Sequence, residues 1–169
     1  MKKKITCMLC LLFLVLLTAC SNTDQKKLDI YQYLNSDVKQ VNELHNKAIK
    51  EYNAFMNTDS ADAEKLLVSL EQSIIPGLKQ AAEALSAFTY QSEEVNVFVG
   101  QYRNVILEET AALEAIRLAV SDKDTAALER ANEAVNHAMS AMETYQTDVR
   151  KFAAANEITL VEQEKQSDQ

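Results

Sequence analysis

Glycine and proline are almost missing from this chain, whose 169 residues contain two Gly and one Pro. These two residue types are the strongest breakers of regular structure, so their scarcity favours a few long elements over many short ones. Apolar residues make up 47% of the chain, too many for a disordered protein. Ala, Leu, Glu, Gln and Lys are frequent, and these are good helix formers. The composition therefore predicts an all-α fold.

Apolar residues recur at helical spacing along four segments. In the first segment, steps of three and four residues alternate through Tyr31, Leu34, Val38, Val41, His45, Ala48, Tyr52 and Phe55. The last segment repeats these steps through Leu128, Ala131, Val135, Ala138, Met142, Tyr145, Val149 and Phe152. Such steps place the side chains on one helix face, so each segment predicts an amphipathic helix with a buried stripe.

The second segment has one comparable stripe, and the third allows two. The second stripe runs through Ala63, Leu67, Leu70, Ile74, Gly77, Ala81, Leu85 and Phe88. One stripe of the third segment contains Val95, Phe98, Tyr102, Val105, Glu109, Ala112, Ile116 and Ala119. The other contains Val99, Tyr102, Ile106, Glu109, Leu113, Ile116 and Val120. Periodicity alone leaves open which of these two faces is buried.

Polar clusters with side chains that suit helix starts separate the four segments. They are Thr58-Asp59-Ser60, Gln91-Ser92 and Ser121-Asp122. We place the helices at about 28–57, 61–89, 92–120 and 123–156. Short connections between helices of similar length predict an antiparallel up-down-up-down four-helix bundle. Pro76-Gly77 lies inside the second helix, where the proline predicts a kink.

The first twenty residues have the pattern of a secretory leader. Lys2, Lys3 and Lys4 precede 13 uncharged residues from Ile5 to Leu17. A helix needs roughly 20 apolar residues to cross a bilayer, so this run is too short to be a membrane span. Cys7 and Cys10 lie inside the run, and we treat their spacing as accidental.

The sequence Leu17-Thr18-Ala19-Cys20 resembles the lipobox of bacterial lipoproteins. The resemblance implies that residues 1–19 are removed as a signal peptide and that Cys20 receives a diacylglyceryl group. It also implies a location on the extracytoplasmic face of the cell membrane, held to the lipid bilayer through Cys20. We expect residues 20–27 to form the lipidated tether, 28–157 the bundle and 158–169 a flexible tail. A Gram-positive and a Gram-negative origin both remain open.

The net charge of the chain indicates which classes of partner it can bind. The formal net charge is -8, and removing the three leader lysines leaves 14 basic against 25 acidic side chains, or -11. Nucleic acids and anionic lipid headgroups repel such a protein. The composition therefore predicts no nucleic-acid partner, and attachment to a membrane would need a covalent anchor.

Two polar residues interrupt the apolar stripes at corresponding places. His45 and Glu109 each lie 17 residues into their predicted helices, and in an up-down bundle these two helices are parallel. We therefore expect the two side chains near one height in the core, with Ser73 of the second helix at a similar level. Such a polar layer can bind a small ligand or ion, or it can fix the register of the packed helices. Both interpretations stay open.

Catalytic and metal-binding patterns are weak. Glu133 and His137 are four residues apart but lie off the stripe, and Met139 and Met142 give at most a soft-ligand set with His137. The sequence has no Gly-x-Ser-x-Gly motif and no glycine-rich phosphate loop. We expect no enzyme activity, no cofactor and no metal site. The leading hypothesis is a non-enzymatic accessory module that binds another envelope protein. The alternative is a small-molecule or ion-binding lipoprotein that uses the polar layer.

Overall fold

The computed structural model describes residues 23–56 and 62–161, and these residues form four helices that pack against one another, with no β-strand. Helix α1 spans residues 23–56, α2 spans 63–86, α3 is Glu93–Asp122 and α4 is Thr125–Ala155. The predicted all-α fold is confirmed for this part of the chain. The largest difference in bounds is at the start of α1, where residues 23–27 are helical rather than part of a tether.

Side-chain caps fix the starts of three helices. Asp62 accepts hydrogen bonds from the backbone N–H groups of Glu64 and Lys65. Ser92 and Asp124 cap α3 and α4 in the same way. These oxygens satisfy N–H groups that have no partner within the helix. The cap of α2 is thus Asp62 itself; the predicted cluster at residues 58–60 lies outside the described residues.

Helix α1 contains a π-helical turn at Tyr33–Asp37, where the N–H of Val38 reaches the carbonyl of Tyr33 five residues back. The wider turn rotates the preceding segment relative to the rest of the helix. As a result Tyr33 is fully buried, whereas Tyr31 is 52% exposed. The predicted core position of Tyr31 is wrong, because steps of three and four assume an unbroken α-helix.

Helix α2 contains a second π-helical turn, at Leu70–Ile74, directly before Pro76. The N–H of Ile75 bonds to the carbonyl of Leu70, five residues back rather than four. The change in hydrogen-bonding pattern therefore comes just before Pro76, whose backbone has no N–H to donate. The buried face changes with it. Leu66, Ile75 and Leu78 are buried beside the predicted Leu70, Ile74, Ala81 and Leu85.

Helix α3 lies between α2 and α4 and buries residues on both of its predicted stripes. Val95 and Val105 belong to one stripe only, Val99 and Ile106 to the other, and all four are buried. The two possible stripes therefore describe two adjoining faces of one central helix.

One end of the bundle brings three chain regions together. Asp29 of α1 accepts a hydrogen bond from the N–H of Ser92 at 2.7 Å. Lys26 pairs with Glu94 at 2.6 Å, and Lys27 pairs with Glu157 at 2.6 Å. The starts of α1 and α3 and the end of α4 therefore lie side by side. None of the described helices has the length and hydropathy needed to cross a membrane.

Candidate functional site

A groove of about 300 Å³ opens between α1 and α4. Each helix packs mainly on its neighbour in sequence, so the backbones of α1 and α4 stay apart. Tyr102 of α3 contributes to the floor, and residues 160–161 lie at the rim. The groove is lined by Leu34, Val38, Lys39, Asn42, His45, Asn46, Tyr102, Met142, Tyr145, Gln146, Val149, Arg150, Leu160 and Val161.

His45 and Glu109 form a buried pair at the floor of this groove. His45 Nε2 lies 2.6 Å from Glu109 Oε2, and the two side chains are only 8% and 6% exposed. A carboxylate only accepts, so the imidazole Nε2–H donates. His45 lines the groove, whereas Glu109 lines a much smaller gap between α1, α3 and α4. The imidazole thus separates the carboxylate from the groove.

The hydrogen bond to Glu109 uses Nε2 of His45, and the second ring nitrogen, Nδ1, takes no part in it. The imidazole itself is one of the groups that line the groove. Nδ1 accepts a hydrogen bond when the imidazole is neutral and donates one when it is protonated.

Three tyrosines continue the polar layer away from this pair. Tyr33 and Tyr145 share a hydrogen bond between their hydroxyls at 2.6 Å. Tyr102 stacks on Tyr145 with ring centroids 4.8 Å apart, and its hydroxyl donates to Asn42 Oδ1 at 2.8 Å. The His45 ring meets Tyr102 edge-on, with centroids 6.0 Å apart. The floor of the groove is therefore aromatic and its hydroxyls have partners.

All three of these tyrosines have a raised pKa. Burial raises the pKa of Tyr33, an effect that the hydrogen bond shared with Tyr145 partly offsets. Burial also raises the pKa of Tyr102, and the nearby Tyr33 and Glu109 add to it. The pKa of Tyr145 is raised well above its ordinary value by burial and by Tyr33. These hydroxyls are hydrogen-bonding groups near neutral pH, not bases.

The charged residues at the rim are basic. Lys39 on α1 and Arg150 on α4 line the groove from opposite sides, and no aspartate or glutamate of the described chain lines it. Arg150 donates one hydrogen bond to Thr147 Oγ1 at 3.2 Å and keeps further N–H donors. The groove therefore carries a charge opposite to that of the whole chain.

Ser73, which the sequence placed near His45 and Glu109, makes other contacts. Its hydroxyl donates to Glu51 Oε1 at 2.5 Å and also contacts the carbonyl of Ser69 at 3.1 Å. It lines a separate cavity between α1 and α2, on a different side of the bundle from the groove. The structure therefore brings together two of the three predicted polar residues.

The weaker metal-binding candidates are dispersed. Glu133, His137 and Met139 are exposed on α4, whereas Met142 is buried at the floor of the groove. Among the described residues, no three His, Cys, Asp or Glu side chains are grouped so that they could hold a metal ion. Cys20 and the lipobox lie outside the described residues.

Asn35 is a site residue that the periodicity did not reveal. Its buried amide donates to the carbonyl of Thr159 at 3.0 Å and accepts from the N–H of Val161 at 2.7 Å. These bonds hold residues 159–161 at the rim of the groove, although the sequence predicted a flexible tail from residue 158. The signal was weak because Asn35 lies within the π-helical turn, where helical spacing fails.

Comparisons with known proteins give no relative. No protein-family model matches the chain, and neither a curated protein nor a solved structure is significantly similar to it.

Proposed function

We propose that this chain is a lipid-anchored binding protein on the extracytoplasmic face of the cell membrane, without enzymatic activity, and that the groove between α1 and α4 is its binding element. The observation that carries the proposal is the groove itself. It is open to solvent, has an aromatic floor with the buried His45–Glu109 pair, and has polar side chains at its rim. Apolar and aromatic surface next to convergent polar groups is a feature of small-molecule sites, and the lining of this groove combines both.

The anchor is supported by the lipobox and by the start of the fold. Helix α1 includes Thr23, three residues after Cys20. Three residues span at most about 11 Å, so a lipidated Cys20 would hold the adjoining end of the bundle against the bilayer. Two acyl chains suffice for stable attachment where one is marginal. The acidic composition, which disfavours adsorption to anionic lipid, makes a covalent anchor the natural means of attachment.

The bundle is best described as up-down-up-down. The connections between α2 and α3 and between α3 and α4 are short, which favours antiparallel neighbours. The contacts Asp29–Ser92 and Lys27–Glu157 support this topology, since they join the starts of α1 and α3 and the end of α4. The groove would then run along the side of the bundle, from the membrane-proximal end towards the middle.

Binding explains the site better than catalysis does. The described groove lining contains no serine, threonine or cysteine that could act as a nucleophile. The hydroxyls of Tyr102 and Tyr145 keep their protons, since burial raises the pKa of both. His45 has a carboxylate partner, as a general base does, but the described groove lining places no hydroxyl or thiol nucleophile beside it. These groups can orient a bound molecule without transforming it.

The anchor is tested on the native product. Mass spectrometry of the N-terminal peptide from membrane fractions should find a lipid-modified Cys20 as the first residue. Cys20→Ser should keep the leader attached and should carry no lipid label. An unmodified thiol at residue 20 of the native protein would overturn the anchor.

The groove is tested by blocking it. A compound that binds the folded protein at a hundredfold excess over its Kd raises the free energy of unfolding by about 2.7 kcal/mol. A thermal-shift screen should find such compounds for the wild type and lose them in Asn46→Trp, which places an indole at the rim. Asn136→Trp is the matched control, because Asn136 is exposed on α4 away from the groove lining. Equal stabilisation of both variants would place the binding elsewhere.

A second candidate ligand is another envelope protein. The exposed acidic side chains of α1 and α4, including Glu43, Glu133 and Glu143, would favour a partner with a basic surface. Photo-crosslinking in intact cells from position 146 at the groove, compared with position 136, separates the two candidates. A single protein captured from both positions would favour a broad protein interface over a ligand groove.

A further inference from the structure

We infer that the groove between α1 and α4 binds a small organic anion, a carboxylate carried on an apolar or aromatic body. The inference rests on the proposed binding function and names the ligand class. Its first support is the reversal of charge described above. Lys39 and Arg150 are the charged side chains at the rim, in a chain whose acidic residues outnumber its basic ones by 25 to 17.

The two cations come from the two helices that form the walls of the groove. Lys39 extends from α1 and Arg150 from α4, so a carboxylate in the groove would lie between positive charges from both walls. Arg can bind a carboxylate through two parallel N–H groups, and Lys acts as a point charge. The rim amides of Asn46 and Gln146 add neutral donors. Hydrogen bonds to a charged partner are stronger than those between neutral groups.

The floor suits the uncharged part of such a ligand. Leu34, Val38, Met142 and Val149 contribute aliphatic surface, and Tyr102 and Tyr145 contribute aromatic surface. A volume of about 300 Å³ lies at the small end of ligand cavities, which selects a compact molecule over a long-chain lipid or a peptide.

The carboxylate of Glu109, which lies in the core beside the groove, is paired with His45. Glu109 lies behind His45 and does not line the groove, and its carboxylate is engaged by Nε2. A primary amine in the same place would meet Lys39 and Arg150 as like charges, so the arrangement discriminates by the sign of the ligand charge.

Three probes with the same aromatic body test the inference. Phenylacetate, 2-phenylethanol and 2-phenylethylamine are titrated by calorimetry into the full chain purified in detergent. We expect the Kd for phenylacetate to be at least tenfold lower than for either other probe. Lys39→Gln/Arg150→Gln should raise the phenylacetate Kd about tenfold. Lys50→Gln/Arg130→Gln removes two positive charges at exposed positions outside the groove and should leave that Kd unchanged.

The outcomes separate the ligand class from the proposed function. If 2-phenylethanol or the amine binds as tightly as phenylacetate and Asn46→Trp abolishes that binding, the groove is a binding site but the anion is the wrong class. Equal losses in the two double variants would also overturn the anion, since only net charge would then matter. If none of the three probes binds the wild type while the thermal-shift screen finds compounds that Asn46→Trp loses, the anion is overturned and the binding function of the groove stands. If the screen also finds none, both are overturned.

Discussion

Helices α1 and α2 pack against each other and each contains one π-helical turn, yet they bury different chemistry. The buried residues of α2 are all aliphatic: Leu66, Leu70, Ile74, Ile75, Leu78, Ala81, Ala82 and Leu85. The buried face of α1 includes Asp29, Tyr33, Asn35, His45 and Tyr52. Two helices of one bundle, whose sequences have similar apolar periodicity, thus have different roles. Helix α2 contributes the dry core, and α1 contributes most of the buried polar contacts.

The polar side chains of α1 show what such contacts do in a bundle. Asp29 bonds to the start of α3, Asn35 to the segment after α4, and His45 to the middle of α3. Each bond joins α1 to a different part of the chain, and each would be lost if the helix slid or rotated. An aliphatic face like that of α2 tolerates such shifts better, since apolar contacts are not directional. The contrast indicates that the polar contacts of α1 fix the position and rotation of the helices relative to one another.

The largest expected difference appears at alkaline pH, because the buried tyrosines join α1, α3 and α4. Tyr33, Tyr102 and Tyr145 have a raised pKa in the folded state, so above about pH 10 the unfolded chain loses protons that the folded chain keeps. Their stabilising effect is complete below pH 10 and declines as the pH rises further. Above about pH 10, each of these three tyrosines should lower the free energy of unfolding by about 1.4 kcal/mol per pH unit. The three together should lower it by about 4 kcal/mol per pH unit.

Urea denaturation followed by circular dichroism at pH 9, 10 and 11 measures this slope. Tyr33→Phe/Tyr145→Phe removes both hydroxyls of one hydrogen bond, so it should change stability little at pH 7 and reduce the slope by about 2.7 kcal/mol per pH unit. Tyr31→Phe at the exposed tyrosine is the control and should leave the slope unchanged. A slope that survives the double substitution would show that alkaline unfolding starts elsewhere.

A pair of identical substitutions compares the packing of the two helices. Leu78 of α2 is fully buried, so Leu78→Ala should lower the free energy of unfolding by about 3 kcal/mol through lost contacts and a cavity. Leu34 of α1 is half-buried and lines the groove, so Leu34→Ala should cost only about 1 kcal/mol. Chemical denaturation of both variants gives the two values. Equal losses would mean that the groove wall is packed as tightly as the core.

Removal of one partner of the His45–Glu109 pair should lower the free energy of unfolding more than replacement of both partners by apolar residues. Glu109→Leu leaves a buried N–H of His45 without its partner, which should cost about 2 kcal/mol. His45→Leu/Glu109→Leu removes both polar groups and should restore most of that stability, since replacing both partners of a buried hydrogen bond by apolar groups leaves no unsatisfied donor or acceptor. A double-mutant cycle by urea denaturation gives the coupling energy. A coupling near zero would indicate that the contact is not a stabilising interaction.

Much of the fold follows from the sequence, because the signals are local. The stripe of α4, from Leu128 to Phe152, is buried or half-buried as predicted, since that helix is regular from end to end. Tyr31, which the spacing misplaced, lies beside a π-helical turn. One extra residue per turn changes the face of the helix, and nothing in the hydrophobic pattern distinguishes this from ordinary spacing.

The candidate site could be predicted only in part. His45 and Glu109 were found because a polar residue within an apolar stripe stands out in the sequence. Ser73 was placed by estimated height alone, and its bond to Glu51 depends on the rotation of α2. The groove depends on how far apart α1 and α4 lie, which follows from the packing of all four helices and not from any one stripe. The cations Lys39 and Arg150 gave no signal because they look like ordinary surface residues.

The smallest expected effect tests the contact between α1 and the segment after α4. Asn35→Ala removes two hydrogen bonds to residues 159–161, which should lower the free energy of unfolding by only about 1 kcal/mol, since these residues can open without the rest of the bundle. Hydrogen exchange is the more sensitive measurement: the Val161 amide should lose its protection while amides in α2 keep theirs. Asn96→Ala, which breaks a similar clamp on Tyr90, should leave Val161 protected. If Val161 exchanged equally fast in the wild type and in Asn35→Ala, the polar face of α1 would not hold this segment in solution. The distinction between α1 and α2 would then reduce to Asp29, the tyrosines and the His45–Glu109 pair.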